Sequence, residues 1–287
     1  MFATMTIAEA RNFTTQQLLP GIDSGEAQAM AMELVLHVAG IDKKYWAQQL
    51  NKTLSQEKND KLIQLTQRVA QGEPLQYVTG EAWFFGLKLQ VTPAVLIPRP
   101  ETEELVDWLI SHCQFPIEEL PILEIGTGSG CIALALQKRL RKATVTAIEY
   151  SVDALKVAEK NAKNLGYHPR FIRGDLFDVS QWKEWPSFSM LISNPPYIPF
   201  EEKDSMEKRV KDFEPSLALF VPDEDPLKYY RLLGKLLLER GSPDARLFCE
   251  LNARLARETA ELFQSMGLHT TLKLDMQGKE RMLSAWR

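Results

Sequence analysis

The residues Asn194-Pro195-Pro196-Tyr197 follow a short apolar run at 190–193, of the kind that forms a buried strand. Two consecutive prolines lack a backbone N–H and fix φ, so the chain leaves the sheet in a stiff turn. The Asn194 side-chain oxygen and a proline carbonyl are suited to accept both hydrogens of a planar NH2 group. The Tyr197 ring is suited to lie against that group. A plain turn after a strand is the alternative interpretation of these four residues taken alone.

A second candidate site is the segment Gly126-Thr127-Gly128-Ser129-Gly130. An apolar run at 121–125 precedes it, and apolar residues at helical spacing follow from position 131. This pattern predicts a strand, a glycine turn and a helix. Glycines let a backbone approach a ligand closely, and the start of a helix offers free N–H groups. The turn therefore predicts a ligand site at the carboxyl end of a strand.

The acidic residue Glu149 ends the next predicted strand, at 144–148. An acid in this position can accept hydrogen bonds from ribose hydroxyls, which indicates a nucleoside ligand. The glycine spacing is G-x-G-x-G rather than the dinucleotide pattern G-x-G-x-x-G. A nicotinamide cofactor or a purely structural turn remain alternatives. No phosphate-binding G-x-x-x-x-G-K-[ST] loop occurs in the sequence. A nucleoside beside a site for an amino group suits S-adenosylmethionine as a methyl donor.

The composition limits the classes of partner. The 287 residues are 45% hydrophobic and carry a formal net charge of −4. A nucleic-acid-binding enzyme more often has a basic face, so the charge argues modestly against DNA or RNA as substrate. The cysteines, Cys113, Cys131 and Cys249, are far apart and lack metal-site spacing. We predict no metal site.

The first residues and the hydropathy of the sequence indicate the cellular compartment. The first residues, 1–12, lack the basic start and long apolar stretch of a secretory signal. No run of about 18 apolar residues occurs, so no membrane span is predicted. We expect a cytoplasmic protein and a monomer.

The chain is predicted to contain three parts. Residues 1–72 have helical patterns at 27–41 and 55–70, with Ser55 as a helix cap. Residues 73–92 include an aromatic and β-branched stretch at 76–91, which predicts a hairpin linker. Residues 93–287 alternate strands with helices, which predicts an α/β fold with a parallel sheet.

The predicted elements of the α/β part follow the hydrophobic pattern. Helices are expected at 101–113, 226–240 and 253–266, and a strand at 245–251. Strand-helix units are expected at 121–140, 144–165 and 170–193. An antiparallel pair, 269–275 with 281–286, is expected to close the sheet.

The sequence from Gln71 to the C-terminus resembles the glutamine N5-methyltransferases that modify peptide-chain release factors. The resemblance lies in the glycine turn, the Asn-Pro-Pro-Tyr turn and four further segments: Glu73 to Tyr77, Phe84 to Leu87, Val95 to Glu103, and Phe213 to Leu219. The Asn-Pro-Pro-Tyr turn is shared with nucleic-acid methyltransferases, whereas the segment Ile97 to Glu103 is more specific.

The resemblance implies a Rossmann-like, seven-stranded class I methyltransferase domain, preceded by a small helical domain and a β-hairpin. It implies S-adenosylmethionine as donor, release factors as protein partners, and the glutamine of their Gly-Gly-Gln motif as the acceptor. The implied catalytic residues are Asn194, Pro195, Pro196 and Tyr197. The implied donor-binding residues are Gly126 to Gly130, Glu149, Asp175, Leu176 and Asn194. A nucleic-acid amino-group methyltransferase, acting on adenine N6 or guanine N2, is the alternative.

Several residues depart from the family pattern or have two interpretations. Glu124 and Glu149 stand where the family usually has Asp, and Leu176 where some relatives have an aromatic residue. The segment Arg99 to Glu103 is either a wall of the donor pocket or a stiff linker that caps a helix. Glu214 either contacts the site or orders its loop, and we favour the second role.

Overall fold

The computed structural model describes residues 4–113 and 120–287. Contacts within them separate two compact units. The helical unit is the chain up to Glu81 together with Glu207–Phe213. The sheet unit is Ala82–Met206 together with Glu214–Arg287. None of the helices in the described ranges has the length and apolar character needed to cross a bilayer.

The described residues form helices throughout both units. The α-helices are α1 (Ile7–Leu18), α2 (Ser24–Ala39), α3 (Trp46–Gln49), α4 (Gln56–Ala70), α5 (Leu75–Thr79), α6 (Pro100–His112), α7 (Cys131–Arg139), α8 (Val152–Leu165), α9 (Lys208–Phe213), α10 (Ser216–Leu219), α11 (Lys228–Arg240) and α12 (Ala256–Ser265). Short 3-10 helices lie at Lys43–Tyr45, Val179–Glu184, Phe200–Ser205 and Ala253–Leu255.

The strands belong mostly to the sheet unit. They are β1 (Glu81–Phe84), β2 (Leu87–Gln90), β3 (Pro121–Ile125), β4 (Thr144–Glu149), β5 (Arg170–Arg173), β6 (Phe188–Ser193), β7 (Ile198–Pro199), β8 (Phe220–Val221), β9 (Gly241–Glu250), β10 (His269–Leu274) and β11 (Glu280–Trp286).

The helical unit forms because each main helix has a defined start and one buried face. Thr6 and Glu9 form a reciprocal capping box at α1, and the Ser55 side chain accepts from the Lys58 N–H at the start of α4. Helix α2 ends at Gly40, which has a φ of 70°. The helices bury a common apolar core that includes Leu34. The predicted helices at 27–41 and 55–70 are confirmed.

The predicted hairpin at 76–91 is shorter than expected. Its first residues form α5, which starts after Pro74 and ends at Gly80 in the left-handed region. Proline before a helix and glycine after it are typical helix boundaries. The aromatic and β-branched residues between them favoured a strand, so the helix was not predicted. Strands β1 and β2 form the two-stranded sheet that remains. Both turn residues, Phe85 and Gly86, have positive φ, as a type I′ turn requires.

The main sheet has seven strands in the order β10-β11-β9-β6-β3-β4-β5. Strands β9, β6, β3, β4 and β5 run parallel, whereas β11 pairs antiparallel with β9 and with β10. Two apolar cores cover its faces, and their fully buried members include Phe188 and Phe248. The α/β class, the seven strands and the antiparallel closing pair are confirmed. The carboxyl ends of β3, β4, β6 and β9 meet at one edge of the sheet.

Some connections differ from the expected elements. The connection between β5 and β6 contains a 3-10 helix rather than an α-helix, and Trp182 and Trp185 within or beside it are buried. The helix expected at 253–266 begins as a 3-10 turn, capped by the Asn252 side chain. After the Asn-Pro-Pro-Tyr turn, β7 and β8 form a two-residue parallel ladder that the sequence pattern did not indicate.

Candidate active site

A cavity of about 530 Å³ lies in the sheet unit, at the carboxyl edge of the sheet. This volume is in the usual range for small-molecule and cofactor sites. Its wall includes most of the glycine turn, the end of β4, the segment after β5, and Asn194 and Pro196 after β6. The start of α6 and the start of α11 complete it. The structure therefore brings the two sequence-predicted sites into one cavity.

The glycines of the turn have two different roles. Gly126 and Gly128 have φ values of 78° and 55°, and a Cβ built on either would meet no atom within 4 Å. Both line the cavity, so their missing side chains leave room for a ligand against the backbone. Gly130 is not in the wall, and a Cβ there would lie 3.2 Å from the Ala158 Cβ. Its glycine lets α7 lie close to α8.

The glycine turn is also held by a buried amide on α8. Asn161 is 1% exposed, and its Nδ2 donates to the Ser129 carbonyl over 2.9 Å and to the Gln90 carbonyl over 2.9 Å. Its Oδ1 accepts from the Gln90 N–H over 2.7 Å. This side chain therefore fixes the turn relative to β2 and α8.

The Glu149 carboxylate lies at the cavity wall and organises the neighbouring backbone. Its two oxygens accept from the Gly128 N–H and the Ser151 N–H, each over 2.8 Å. A carboxylate has about four lone-pair positions, so two remain for ligand hydroxyls. The longer side chain of glutamate therefore still places an acceptor beside the glycine turn.

Glu124, beneath the same turn, is fully buried. Its Oε2 accepts from the Thr127 hydroxyl over 2.9 Å, and its Oε1 has no hydrogen-bond partner in the described part of the chain. Burial raises the pKa of Glu124 to about 8, and the nearby Glu149 carboxylate contributes to the same shift. The side chain is therefore protonated at neutral pH and supports the turn as a neutral group.

The segment after β5 forms another part of the cavity wall. Asp175, Leu176 and Phe177 all line it. Leu176 is 6% exposed and belongs to one of the apolar cores, whereas Phe177 is 42% exposed. The Phe177 ring makes an edge contact with Tyr229 at a centroid distance of 5.0 Å. An apolar and aromatic surface is thus part of the cavity wall.

Asn194 leaves β6 with its side chain fixed by a neighbouring helix. Its Nδ2 donates to the Thr102 hydroxyl oxygen over 3.0 Å. No hydrogen bond within residues 4–113 and 120–287 engages its Oδ1, and Asn194 lines the cavity. The side-chain oxygen is therefore available as an acceptor for a ligand amino group.

Of the other three residues of this turn, one lines the cavity and two do not. Pro196 lines the cavity, whereas Pro195 is buried and Tyr197 is not part of the wall. The Tyr197 ring lies partly buried against an apolar core, and its hydroxyl donates to Glu250 Oε1 over 2.9 Å. Burial and the Glu250 carboxylate raise the pKa of Tyr197 well above its ordinary value. Tyr197 is therefore neutral and held in place at the base of the turn.

The segment before α6 is both part of the wall and fixed by Glu214. Arg99 and Thr102 line the cavity. Glu214, 5% exposed, accepts from the Ile97 N–H over 3.2 Å and pairs with the Arg99 guanidinium over 2.5 Å. Glu214 is not in the cavity wall, so in this structure it orders the segment rather than faces a ligand.

Known proteins resemble the chain over most of its length. Two family models match it: "PrmC N-terminal domain" over residues 9–80 and "Methyltransferase small domain" over residues 105–212. A release factor glutamine methyltransferase of Bacteroides thetaiotaomicron is 38% identical over 264 residues, which cover 91% of this chain and 93% of that protein. The chain belongs to the release factor glutamine methyltransferase family.

Other relatives agree with this family. The release factor glutamine methyltransferase of Flavobacterium psychrophilum is 42% identical over 225 residues, 77% of each chain. A methyltransferase structure from Pyrococcus furiosus covers 70% of this chain and 88% of its own, with a TM-score of 0.52 and 18% identity. That structural likeness shows the fold alone. The family and the methyltransferase fold expected from the sequence are confirmed.

Sequence reasoning did not identify several residues of the cavity in this family member. They are Tyr150, Leu217, Lys228 and Tyr229. The Lys228 ammonium lies 4.7 Å from the Phe177 ring centroid and 5.4 Å from that of Tyr229. Burial raises the pKa of Tyr229, with a contribution from the Asp175 and Glu149 carboxylates. Lys228 and Tyr229 lie at the start of α11, Leu217 in α10 and Tyr150 in the loop after β4, and no local pattern indicated that these side chains line the cavity.

The site shows no sign of thiolate or metal chemistry in the described residues. Cys131 lines the cavity, but burial raises the pKa of its thiol to about 12. The thiol is therefore protonated at neutral pH and is a poor nucleophile. Among residues 4–113 and 120–287, no group of three or more His, Cys, Asp or Glu side chains is placed to hold a metal ion.

Proposed function

We propose that this protein transfers a methyl group from S-adenosylmethionine to the side-chain amide N5 of the glutamine in the Gly-Gly-Gln motif of peptide-chain release factors. Membership of the release factor glutamine methyltransferase family supports this assignment. The observation that carries it is the free Asn194 oxygen in the same cavity as the open glycine turn and Glu149.

The cavity residues fit this donor. The open space at Gly126 and Gly128 admits a ligand against the backbone, and Glu149 keeps acceptor positions for the hydroxyls of a ribose. Leu176 and Phe177 offer an apolar and aromatic surface for a base. When bound, this donor supplies a methyl group on a positively charged sulfur, so the leaving group is already activated.

The Asn-Pro-Pro-Tyr turn is proposed to hold the acceptor amide. Its nitrogen is a poor nucleophile, because its lone pair is delocalised into the carbonyl. Asn194 Oδ1 and the Pro195 carbonyl accept the two amide hydrogens and favour positive charge on the nitrogen as it attacks. Fixed orientation of reacting groups can contribute roughly 7–11 kcal/mol to lowering a barrier. Positioning is therefore the main task of these residues.

No strong base is required in this scheme. A free amide proton is too weakly acidic to be removed before attack. Once the methyl group is transferred, the nitrogen is cationic and strongly acidic, and its proton leaves to solvent. Tyr197, whose pKa is raised, stays protonated throughout and acts as a support for the turn.

Residues 1–72 are proposed to form the surface that docks the release factor, with 73–92 as the linker and 93–287 as the methyltransferase domain. A glutamine amide offers too little area to select one protein substrate. This helical region has seven basic and seven acidic residues, which suits a protein partner better than nucleic acid. The ratio of kcat/KM on whole release factor to kcat/KM on a Gly-Gly-Gln peptide should fall when residues 1–72 are removed. An equal loss on both substrates would contradict docking.

The proposed function is tested by the class of macromolecule that accepts the methyl group. Labelled donor is added with the purified protein to a cell extract, and samples are then treated with protease or with nuclease. We expect protease-sensitive label on a protein of release-factor size. Nuclease-sensitive label would instead identify a nucleic-acid methyltransferase.

A further inference from the structure

A chain of hydrogen bonds connects Asn194 to a buried carboxylate that the sequence did not mark. Asn194 Nδ2 donates to Thr102 Oγ1 over 3.0 Å, and Thr102 Oγ1 donates to Glu250 Oε2 over 2.7 Å. The second oxygen of Glu250 accepts from the Tyr197 hydroxyl over 2.9 Å. Glu250 thus binds the turn at two points, directly through Tyr197 and indirectly through Thr102.

The fold brings these residues together from three elements. Thr102 lies in the first turn of α6, and Glu250 is the last residue of β9. Strands β6 and β9 are parallel neighbours, and Ser193 pairs with Cys249. Asn194 and Glu250 therefore follow paired residues at the same edge of the sheet. Thr102 and Glu250 are 3% and 1% exposed, so water does not compete for these bonds.

We propose that Glu250 is a positioning residue, which acts through Thr102 to keep the Asn194 carboxamide oxygen turned toward the substrate amide. This inference rests on the proposed function, since it concerns the same amide site. Glu250 does not touch the substrate. It sets the direction of the hydrogen bonds that orient the residue that does.

The direction follows from the donors and acceptors available. Thr102 has one hydroxyl hydrogen, and an ionised Glu250 can only accept, so that hydrogen goes to the carboxylate. The Thr102 oxygen is then left as an acceptor, and only the NH2 end of Asn194 can pair with it. This arrangement places Oδ1 toward the cavity. A carboxamide turned the other way would present two donors to a substrate NH2 group and would repel it.

Protonation of Glu250 would remove this constraint. A neutral Glu250 can donate a hydrogen bond to Thr102, whose own hydrogen is then free to meet Asn194 Oδ1. Burial raises the pKa of Glu250, whereas its bonds from Thr102 and Tyr197 oppose that shift. The charged and titratable groups near it are Glu101, Tyr197, Tyr230, Cys249 and Arg281. Methyl transfer should therefore fall on acidification at a pH above the ordinary range for glutamate.

The first test compares two substitutions of Thr102. Thr102→Val keeps the branched shape but removes the hydroxyl, whereas Thr102→Ser keeps the hydroxyl. Thr102→Val should lower kcat about tenfold to a hundredfold, the range expected for losing a hydrogen bond to a charged group. The affinity of this variant for the donor, measured by calorimetry, should change less than about threefold. Thr102→Ser should recover most of the lost rate.

Thr259→Val is the matched control for the change of side chain. Thr259 is also a fully buried helical threonine, and its hydroxyl donates to the Leu255 carbonyl over 2.7 Å, away from the cavity wall. It should lower stability without the loss of kcat at saturating substrate. If Thr102→Val and Thr259→Val have the same kcat, the hydroxyl of Thr102 is merely structural and the proposal is wrong.

The second test uses the pH dependence of Glu250→Gln, which also serves if Thr102→Val folds poorly. The two hydroxyls donate to different oxygens of Glu250, and in glutamine an NH2 group replaces one of these oxygens, so one hydroxyl loses its acceptor. Glutamine also does not titrate. We expect a lower kcat and the loss of the acidic limb in the pH profile. A profile parallel to that of the wild-type protein would overturn the inference. Failure of the proposed function looks different, because the wild-type protein itself would then not methylate release factor.

Discussion

The glycine turn and the Asn-Pro-Pro-Tyr turn leave the same edge of the sheet, but they are built differently. The glycine turn offers mainly backbone, and its supporting side chains include Glu149 from the adjacent strand β4 and Asn161 from α8. The Asn-Pro-Pro-Tyr turn offers a side chain, and its orientation depends on α6 and β9. Its supporting bonds join residues 92, 148 and 53 positions apart in the chain.

Because the two turns are built differently, different kinds of substitution should damage them. A backbone cradle is damaged by adding atoms at the wall, because its function is to leave space. An oriented carboxamide is damaged by removing atoms or by reversing a hydrogen bond. Substitutions on the glycine side should therefore act on donor affinity, whereas those on the amide side should act on the rate of transfer.

The largest expected effect is that of Asn194→Ala. Loss of its oxygen removes an acceptor for the substrate amide, and loss of one such preorganised group typically lowers kcat by about 10²–10³-fold. Donor affinity should stay close to that of the wild-type protein. Label transfer to release factor measures the rate, and calorimetry measures donor binding. Turnover within a few-fold of wild type would rule out the role of Asn194.

Gly128→Val should act on the other side of the cavity. The added side chain occupies the open space at the backbone, and we expect donor affinity to fall at least about tenfold, or roughly 1.4 kcal/mol. The positive φ also costs stability, about 1–2 kcal/mol for an L-residue. Gly166→Val is the matched control, since Gly166 has a φ of 72° and open space but lies outside the cavity wall. Equal donor affinities in the two variants would contradict the cradle.

Glu149→Ala should weaken donor binding by at least about tenfold, which corresponds to losing one hydrogen bond to a charged acceptor. Part of this loss is indirect, because the carboxylate also holds the Gly128 and Ser151 N–H groups. The kcat at saturating donor should change less than in Asn194→Ala. Unchanged affinity in a folded variant would show that Glu149 is only structural.

The smallest effect on methyl transfer is expected at Glu124, which should instead change stability and its dependence on pH. Burial raises its pKa from 4.5 to about 8, so between these values the folded protein keeps a proton that the unfolded chain has released. The free energy of unfolding should therefore fall as pH rises, by up to about 1.4 kcal/mol per pH unit. Glu124→Gln removes this dependence, so its stability relative to wild type should increase between about pH 5 and pH 8. If the free energies of unfolding of the wild-type protein and Glu124→Gln change equally with pH over that range, the raised pKa of Glu124 is contradicted.

The sequence predicted the donor side more completely than the amide side for a physical reason. The strand, the glycine turn and the end of β4 are marked by local spacing, and the structure places them in one cavity wall. The roles of Thr102 and Glu250 depend on hydrogen bonds between distant elements, which no local pattern reveals. Lys228 and Tyr229 contact Phe177, which is distant in the chain, so local spacing did not indicate them either. The hairpin boundary was misplaced because Tyr77 and the β-branched Val78 and Thr79 in α5 are residue types typical of a strand.

Gly130 and Tyr197 show that a residue can belong to a predicted motif without lining the cavity. Gly130 belongs to the glycine pattern, but the structure places it against Ala158 instead of in the wall. Tyr197 belongs to the turn, but its hydroxyl is bound by Glu250 and its ring lies against the core. A motif thus located the site, whereas the division of tasks among its residues required the packing around them.

The most direct measurement is the mapping of the methyl group on purified release factor by peptide mass spectrometry. The wild-type protein and Asn194→Ala are each incubated with S-adenosylmethionine and with release factor that carries either Gly-Gly-Gln or Gly-Gly-Asn. We predict one methyl group on the glutamine amide with the wild-type protein, and almost none with Asn194→Ala or with the Gly-Gly-Asn substrate. A methyl group on another residue, or equal methylation by Asn194→Ala, would contradict the account.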